Sequence, residues 1–335
     1  MITIIQSRNQ TSTGGVLLVL IAAMLAACNQ PFDPRGELDR KPVVFSVIST
    51  DRAQQFVRVE WSYMPEGYDP ASYTSDAFIS DAVVTINTGG LTRKLNDTTL
   101  VRLDTSRFRF PIRAYVANPL KADYGSLYTL RVQTSGGETA TASFVMPARP
   151  MLTIDLASTA VIDHPSEHDT AANILFPMTF GNGSYGYVAR FFVYYDVLKN
   201  GEWIEERLEV PSRYAASDYH SMNLVVYPQL AALGNTNKGV GVYKNQLYAG
   251  RLGQVAYVQY GSTNIIFKWA VFVVTQVESN LYKYYNLTHS YRDIHSIRLD
   301  EPMYSSLSGG TGVFGGYTID SLVRPLPEFF AFNHH

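Results

Sequence analysis

The sequence predicts an all-β protein with mainly antiparallel sheets: an N-terminal Ig/fibronectin-like β-sandwich, followed by a larger irregular β domain with one or two short helices. Three observations support this fold class. Short runs of β-branched and aromatic residues recur at regular spacing. Glycine pairs and prolines separate these runs, and no convincing amphipathic helix interrupts them in the first half of the chain.

The chain opens with a predicted leader, residues 1–27. Its apolar run, Val16–Ala27, has Arg8 as the only charge before it, and it is shorter than the roughly 20 residues that span a bilayer. The run ends in LAAC, which resembles a bacterial lipobox with Cys28 as the lipidated first residue of the mature chain. The alternative is an ordinary signal peptide followed by an incidental cysteine. We predict lipidation at Cys28.

Cys28 is the only cysteine of the chain, so the fold must be stable without a disulfide. Residues 28–42 are polar and rich in proline, which is typical of a tether between a lipid anchor and a folded domain. The net charge is −2, from 27 Lys and Arg against 29 Asp and Glu. This balance gives nucleic-acid binding no electrostatic basis. We expect an outer-membrane protein that faces the cell surface, with no cofactor besides the covalent lipid.

The predicted first domain covers residues 43–147. Its opening run, 43–50, is β-branched, and residues 56–61 alternate apolar and polar side chains. Segment 82–90 ends in Gly-Gly and LTRKLN follows it directly, which predicts a hairpin. A second hairpin is predicted in LYTLRVQTSGGETATASFVM, with Tyr124 or Tyr128 at the corner before it.

Prolines in PARPML mark the predicted boundary to the second domain, residues 148–335. The long apolar run NIIFKWAVFVVTQV, Asn264–Val277, predicts a central strand buried on both faces. SNLYKYYN has Ser279 in an N-cap position and predicts a helix. A second short helix is expected near Pro228–Leu233.

The aromatic content exceeds what the predicted cores require, with 23 Tyr, 17 Phe and 3 Trp. Adjacent aromatic residues on a strand cannot face the same core, because side chains alternate. Tyrosine suits interfaces, since it combines an apolar ring with a polar tip. The alternative is simple β-propensity in a sheet that is buried on both faces. The predicted ligand or partner contacts are Tyr194, Tyr195, Tyr282, Tyr284 and Tyr285.

Potential metal ligands are densest in IDHPSEHDTAA, around His164 and His168. A solvated polar loop explains this cluster better, so both histidines remain weak candidates and no metal is expected. The chain has no Gly-x-Ser-x-Gly, no His-Glu-x-x-His and no glycine-rich phosphate loop before a helix. We therefore expect a protein without catalytic activity.

Several segments together resemble a known family: the lipobox and tether, VVFSVIST, SDAVVTINTGG, the YxLxV hairpin, SNLYKYYNLTHSY and RLDEPMYSSLSGGTGVFGGYT. They are similar to the Bacteroidota outer-membrane lipoproteins known only as a domain of unknown function and often encoded beside TonB-dependent receptors. That family more often has Asn where Ser306 stands. The resemblance implies a membrane-anchored partner of a TonB-dependent outer-membrane barrel, with no established catalytic residues.

Two other functions stay open. One is a free-standing surface adhesin that binds glycan or protein, whereas a glycan or peptide is the expected cargo if the protein serves the transporter. The other is a hydrolase that uses dispersed carboxylates or a metal near His164 and His168.

The glycine-rich ending GGTGVFGGY predicts a late strand of the second domain. Its glycines, including Gly315 and Gly316, would let the strand pass close to another backbone. Phe314 is the large side chain left to pack, and we expect it in the core of the second domain.

Overall fold

The alternating patterns of the first half form eight strands in a computed structural model of the protein. The structure describes residues 39–64, 76–106, 110–214, 225–289, 304–328 and 330. Cys28, the predicted leader and the tether up to residue 38 lie outside these residues. The strands are β1 (Pro42–Ser49), β2 (Gln55–Trp61), β3 (Val83–Thr88), β4 (Leu91–Lys94), β5 (Asn96–Leu100), β6 (Ile112–Ala117), β7 (Leu127–Gln133) and β8 (Thr139–Val145).

These strands form a β-sandwich. The layer β4-β3-β7-β8 faces the layer β5-β6-β2-β1 around one hydrophobic cluster, in which Val84 and Leu130 of the first layer join Val44 and Val57 of the second. Both predicted hairpins are confirmed, as β3–β4 and β7–β8. The corner aromatic is Tyr128, whose buried hydroxyl oxygen accepts the Asp123 N–H at 2.8 Å.

The second half is also β-rich, with three short α-helices among the described residues. Its strands are β9 (Met151–Leu152), β10 (Asn173–Thr179), β11 (Gly186–Lys199), β12 (Glu202–Val210), β13 (Arg213–Tyr214), β14 (Val225–Val226), β15 (Ala231–Ala232), β16 (Lys238–Lys244), β17 (Ile265–Val277) and β18 (Thr311–Pro325). The helices are α1 (Leu156–Asp163), α2 (Asn245–Gly253) and α3 (Ser279–His289), with 3-10 turns at Pro165–Glu167 and Ser262–Asn264 and a π-helical turn at Gln254–Gln259.

The helix predicted from Ser279 is confirmed as α3. The helix expected near Pro228–Leu233 was wrong, because that segment contains β15, which pairs with the start of β11. Two helices were not predicted, α1 and α2. Helix α1 is capped by Asp155, the residue before it, whose carboxylate accepts the Ser158 N–H at 2.6 Å.

One sheet of nine strands runs through both halves, in the order β12-β11-β17-β18-β1-β2-β6-β5, with β15 beside β11. β17 is a central strand, as predicted. β18 pairs antiparallel with β17 and parallel with β1, where Val43 lies opposite Thr311 and Ser49 opposite Tyr317. The glycine-rich ending therefore crosses the boundary that the sequence places after residue 147, and Arg40–His335 form one compact unit.

Two hydrophobic clusters lie against this sheet. The larger one is built from the second half, including Phe176, Phe191 and Phe272. Phe314 is fully buried, as predicted, but its predicted place in the second-half core was wrong. Its ring lies 4.9 Å from that of Phe144 in the sandwich cluster, because the parallel pairing with β1 carries the start of β18 over the first-half core.

Candidate binding face on the large sheet

The nine-stranded sheet has an inner face on the two cores and an outer face. On β11, Phe191 and Val193 belong to the larger core. Successive side chains of a strand point to opposite faces, so Phe192 and Tyr194 lie on the outer face. Phe192 is buried but belongs to neither core cluster.

Helix α3 packs on one part of this outer face, where glycines make room for it. A Cβ on Gly315 of β18 would lie 2.4 Å from Glu278 Oε1, and a Cβ on Gly186 of β11 would lie 2.4 Å from the ring of Tyr282. Such distances are impossible for real Cβ atoms without a shift of the neighbours. Gly315 thus has the structural role that the sequence predicts, as a point of close approach.

Glu278 caps this helix. Its buried carboxylate accepts the N–H groups of Asn280 at 2.6 Å and Leu281 at 2.7 Å, and the Gly316 N–H at 3.3 Å. Burial raises the pKa of Glu278 above its usual range, against the opposing effect of these N–H groups. The sequence places Ser279 at the cap, but Ser279 is the first helical residue and the residue before it supplies the acceptor.

Beyond α3, the outer face presents an aromatic and aliphatic patch across three strands. Tyr194 lies opposite Trp269 of β17, and Phe192 lies opposite Val271, which in turn lies opposite Val323 of β18. Phe192 and Val271 are only 8% and 9% exposed, whereas Trp269 and Val323 are 39% and 54% exposed. We call these five residues, Phe192, Tyr194, Trp269, Val271 and Val323, the aromatic face.

Charged side chains border the aromatic face on its β12 side. The Arg207 guanidinium lies 5.0 Å from the centre of the Phe192 ring and 3.5 Å from the Tyr194 hydroxyl oxygen. Glu209 lies opposite Phe192 on β12, and its Oε1 atom is 3.6 Å from Arg190 Nε. An apolar centre with a charged rim is typical of a surface that binds another molecule.

A β-bulge shapes this patch. The register between β11 and β17 shifts between Tyr194 and Tyr195, so that Lys268 is inserted beside Trp269. The Lys268 ammonium pairs with Asp196 at 3.2 Å and Glu205 at 3.5 Å. Trp269 was not predicted as a site residue, since its place in a long apolar run indicates a buried strand. Only the bulge turns it outward.

Tyr195 lies in the larger core, unlike Tyr194. Its hydroxyl donates to Glu206 Oε2 at 3.1 Å, and the Tyr260 hydroxyl donates to the same oxygen at 3.0 Å. Lys199 donates to Glu206 Oε1. The Lys199 ammonium lowers the pKa of Glu206, and burial raises the pKa of Tyr195 above its usual range. The geometry therefore makes Tyr195 part of a structural network.

The three predicted tyrosines of α3 play different parts on the outer face, and their contacts are with other residues than those of the aromatic face. Tyr282 packs over Gly186, and Tyr284 lies edge-on to Phe45 of β1, 6.3 Å between ring centres. Tyr285 contacts Tyr284 and is partly exposed. Tyr282 and Tyr284 seat the helix on the sheet, which leaves Tyr285 as the helix tyrosine that a partner reaches most easily.

His164 and His168 lie in a loop organised by hydrogen bonds. His164 Nδ1 is 3.9 Å from Glu167, and both side chains are exposed. The buried Asn245 Nδ2 donates to the carbonyl oxygens of His168 at 3.2 Å, Pro165 at 2.9 Å and Asp169 at 3.2 Å. In the part of the chain that the structure describes, no group of three or more His, Cys, Asp or Glu side chains is placed to hold a metal ion.

A scan against protein-family models finds no match to this chain, and a search of curated proteins finds none either. Within the described residues, no helix has the length and apolar character that crossing a membrane requires.

Proposed function

We propose that this protein is a non-catalytic, lipid-anchored outer-membrane protein that acts as an accessory partner of a TonB-dependent transporter, with the aromatic face as its docking surface. The observation that carries the proposal is the exposure of Trp269 and Val323 beside the buried Phe192 and Val271 on one face of the sheet. The family resemblance supplies the kind of partner, and the predicted lipid on Cys28 supplies the location.

The chemistry of the aromatic face favours a protein partner. Interface cores are enriched in aromatic residues and arginine, and their rims are polar. Trp269 and Tyr194 form such a centre, with Arg207 beside them. Because the strands hold these side chains in fixed register, docking would cost little ordering entropy.

A glycan is the second candidate ligand, and one observation favours it. Trp269 and Tyr194 lie opposite each other on neighbouring strands, and planar rings at a surface can stack on sugar rings. The protein would then act as a free-standing surface adhesin. Binding of glycans by the protein without any transporter would support this function.

A pull-down from detergent-solubilised outer membrane tests the proposed function. We expect the tagged native protein to recover a TonB-dependent barrel, and Trp269→Ala or Val323→Asp to lower that recovery at least about tenfold, as for hot-spot residues. Leu103→Asp is the matched control, because Leu103 is 97% exposed and lies in the sandwich half. Recovery of no transporter barrel, or equal recovery by Val323→Asp, would overturn the proposal.

A further inference from the structure

Among the described residues, β16 is an edge strand of a second sheet, which has the order β16-β10-β9. Two backbone hydrogen bonds just beyond the ends of the β10–β16 pairing show which residues of β16 are hydrogen-bonded to β10. The Asn245 N–H donates to the Ala172 carbonyl at 2.9 Å, and the Phe180 N–H donates to the Asn237 carbonyl at 2.8 Å. Bonded pairs alternate in an antiparallel ladder, so residues 239, 241 and 243 face β10.

The backbone groups of residues 238, 240, 242 and 244 therefore point away from β10, to the free edge. Pro177 supports this assignment of inward and outward residues. It lies opposite Val240, and its carbonyl oxygen accepts the Thr153 N–H on the other side of β10, so its backbone points away from β16. Within the described residues, the backbone groups of Val240 and Val242 have no hydrogen-bond partner. Their side chains are 47% and 41% exposed.

Lysines bracket this edge. Lys238 and Lys244 lie at its two ends, on the same face as the two valines. The Lys244 ammonium donates to the Ala171 carbonyl oxygen at 3.4 Å, and neither lysine forms an ion pair with a described residue. Lysines at a sheet edge disfavour pairing with a strand that does not neutralise their charge. Two copies of β16 that paired antiparallel about their centre would place Lys238 of one copy opposite Lys244 of the other. Self-pairing is therefore disfavoured, whereas carboxylates at both ends of an added strand are attracted.

We propose that the β16 edge binds an extended acidic segment of another polypeptide as an added antiparallel strand. Val240 and Val242 would each exchange two backbone hydrogen bonds with the segment. Positions opposite Lys238, Val240, Val242 and Lys244 share one face, so the segment has the pattern acidic-x-apolar-x-apolar-x-acidic. This surface is separate from the aromatic face, and the inference does not rest on the proposed function.

Fluorescence anisotropy at low ionic strength tests the inference on the full chain in detergent. The probes are the labelled heptapeptides Glu-Thr-Val-Thr-Val-Thr-Glu and Lys-Thr-Val-Thr-Val-Thr-Lys. We expect the acidic peptide to bind at least about tenfold more tightly than the basic one, from the combined effect of surface charge pairs. Equal binding of the two peptides, or no saturable binding of the acidic one, would overturn the inference.

Val240→Pro removes one outward N–H and leaves the ladder to β10 intact, because proline is tolerated where the N–H of an edge strand faces solvent. We expect at least about tenfold weaker binding of the acidic peptide, whereas Val240→Thr keeps the N–H and should bind like the wild type.

The double variant Lys238→Glu, Lys244→Glu changes no backbone group, and we expect it to prefer the basic peptide. An unchanged preference would contradict the inference even if Val240→Pro fails to fold. Sedimentation of the wild type as a dimer that Val240→Pro dissociates would show instead that a second copy occupies the edge.

Discussion

Gly315 and Gly316 allow close packing on opposite faces of the large sheet, because neither has a side chain. A Cβ on Gly315 would meet Glu278 and Leu281 of the α3 region, whereas a Cβ on Gly316 would lie 2.4 Å from the Phe144 ring in the sandwich core. A pair of glycines in a strand is thus required for close packing on both sides at once. This explains the predicted structural role of both residues.

Gly315→Ala should destabilise the protein by about 1–3 kcal/mol, because the added methyl group overpacks the contact with Glu278 and Leu281. Chemical denaturation measures the change. Gly234→Ala is the matched control, since a Cβ there meets no atom within 4 Å. Equal stability of the two variants would show that α3 does not need the close approach.

Phe314→Ala should lower the free energy of unfolding by about 3–5 kcal/mol, the usual cost of removing a core aromatic residue. The ring is fully buried against Phe144. Denaturant titration of the variant measures the loss, with the exposed Leu103→Ala as control. A midpoint equal to that of the wild type would contradict the packing of Phe314.

The ion pair of Glu206 with Lys199 should make the stability of the fold depend on pH. Its folded-state pKa is lowered, chiefly by the Lys199 ammonium. The carboxylate therefore stabilises the fold above its unfolded-state pKa, and this contribution is lost as the pH falls through the folded-state pKa. Glu206→Gln should lower the melting temperature at about pH 7, and the difference from wild type should shrink towards about pH 3.

Thermal melts across this pH range compare Glu206→Gln with Glu202→Gln, which changes an exposed glutamate on the same strand. A constant difference between Glu206→Gln and wild type at all pH values would show that the Lys199 pairing does not stabilise the fold.

Among the elements, α1 and the loop after it are held by one side chain of α2 and one of β18. Asn245 is buried, and its Nδ2 faces the carbonyl oxygens of Pro165, His168 and Asp169. A second link comes from Arg324 of β18, which donates to Asp163 at the end of α1. These contacts explain the polar cluster around the two histidines as an anchored loop between α1 and β10.

Asn245→Asp should destabilise the protein by more than about 2 kcal/mol, because a carboxylate oxygen would replace the donor that faces three carbonyl oxygens. Thermal unfolding measures the change against Asn182→Asp, which alters an exposed residue. A melting temperature within experimental error of the control would contradict the anchoring role of Asn245.

Most strands could be predicted because alternation of apolar and polar residues is a local signal, as in Phe56–Trp61. Helices α1 and α2 were not predicted, because neither follows a clear amphipathic pattern. The cap of α1 is local, from the Asp155 carboxylate to the Ser158 N–H, whereas α2 begins at Asn245, whose side chain contacts residues that only the fold brings near. Helix α3 was predicted from SNLYKYYN, but the cap residue was not. The cap is Glu278, whose buried carboxylate also accepts the Gly316 N–H of β18, a contact between residues distant in sequence.

At the scale of the whole molecule, β18 joins the two halves. Its first residues complete the sandwich core through Phe314, and its last residues pair with β17 beside the larger core. The sandwich is therefore incomplete without the end of the chain, although its other strands are consecutive in sequence.

The isolated fragment of residues 39–147 should fail to unfold cooperatively, because it lacks Leu307 and Phe314 of its core and leaves β1 without its parallel partner. Circular dichroism during urea titration tests this expectation, with the full chain as reference. A cooperative transition of the fragment at the midpoint of the full chain would show that the sandwich is an independent domain.

The all-β class, the two hairpins of the sandwich, the central strand β17 and the burial of Phe314 could all be predicted from the amino-acid sequence, because each depends on short-range alternation, turn residues or a large apolar side chain. The core that receives Phe314 and the aromatic residues that reach the surface depend instead on the three-dimensional fold. Tyr194 and Tyr195 are neighbours of the same type, yet the pleat puts one on the aromatic face and the other in the core. These differences arise from the β-bulge in β17, the parallel pairing of β18 with β1 and the packing of α3 over glycines. Each of these features depends on contacts between residues that are distant in sequence.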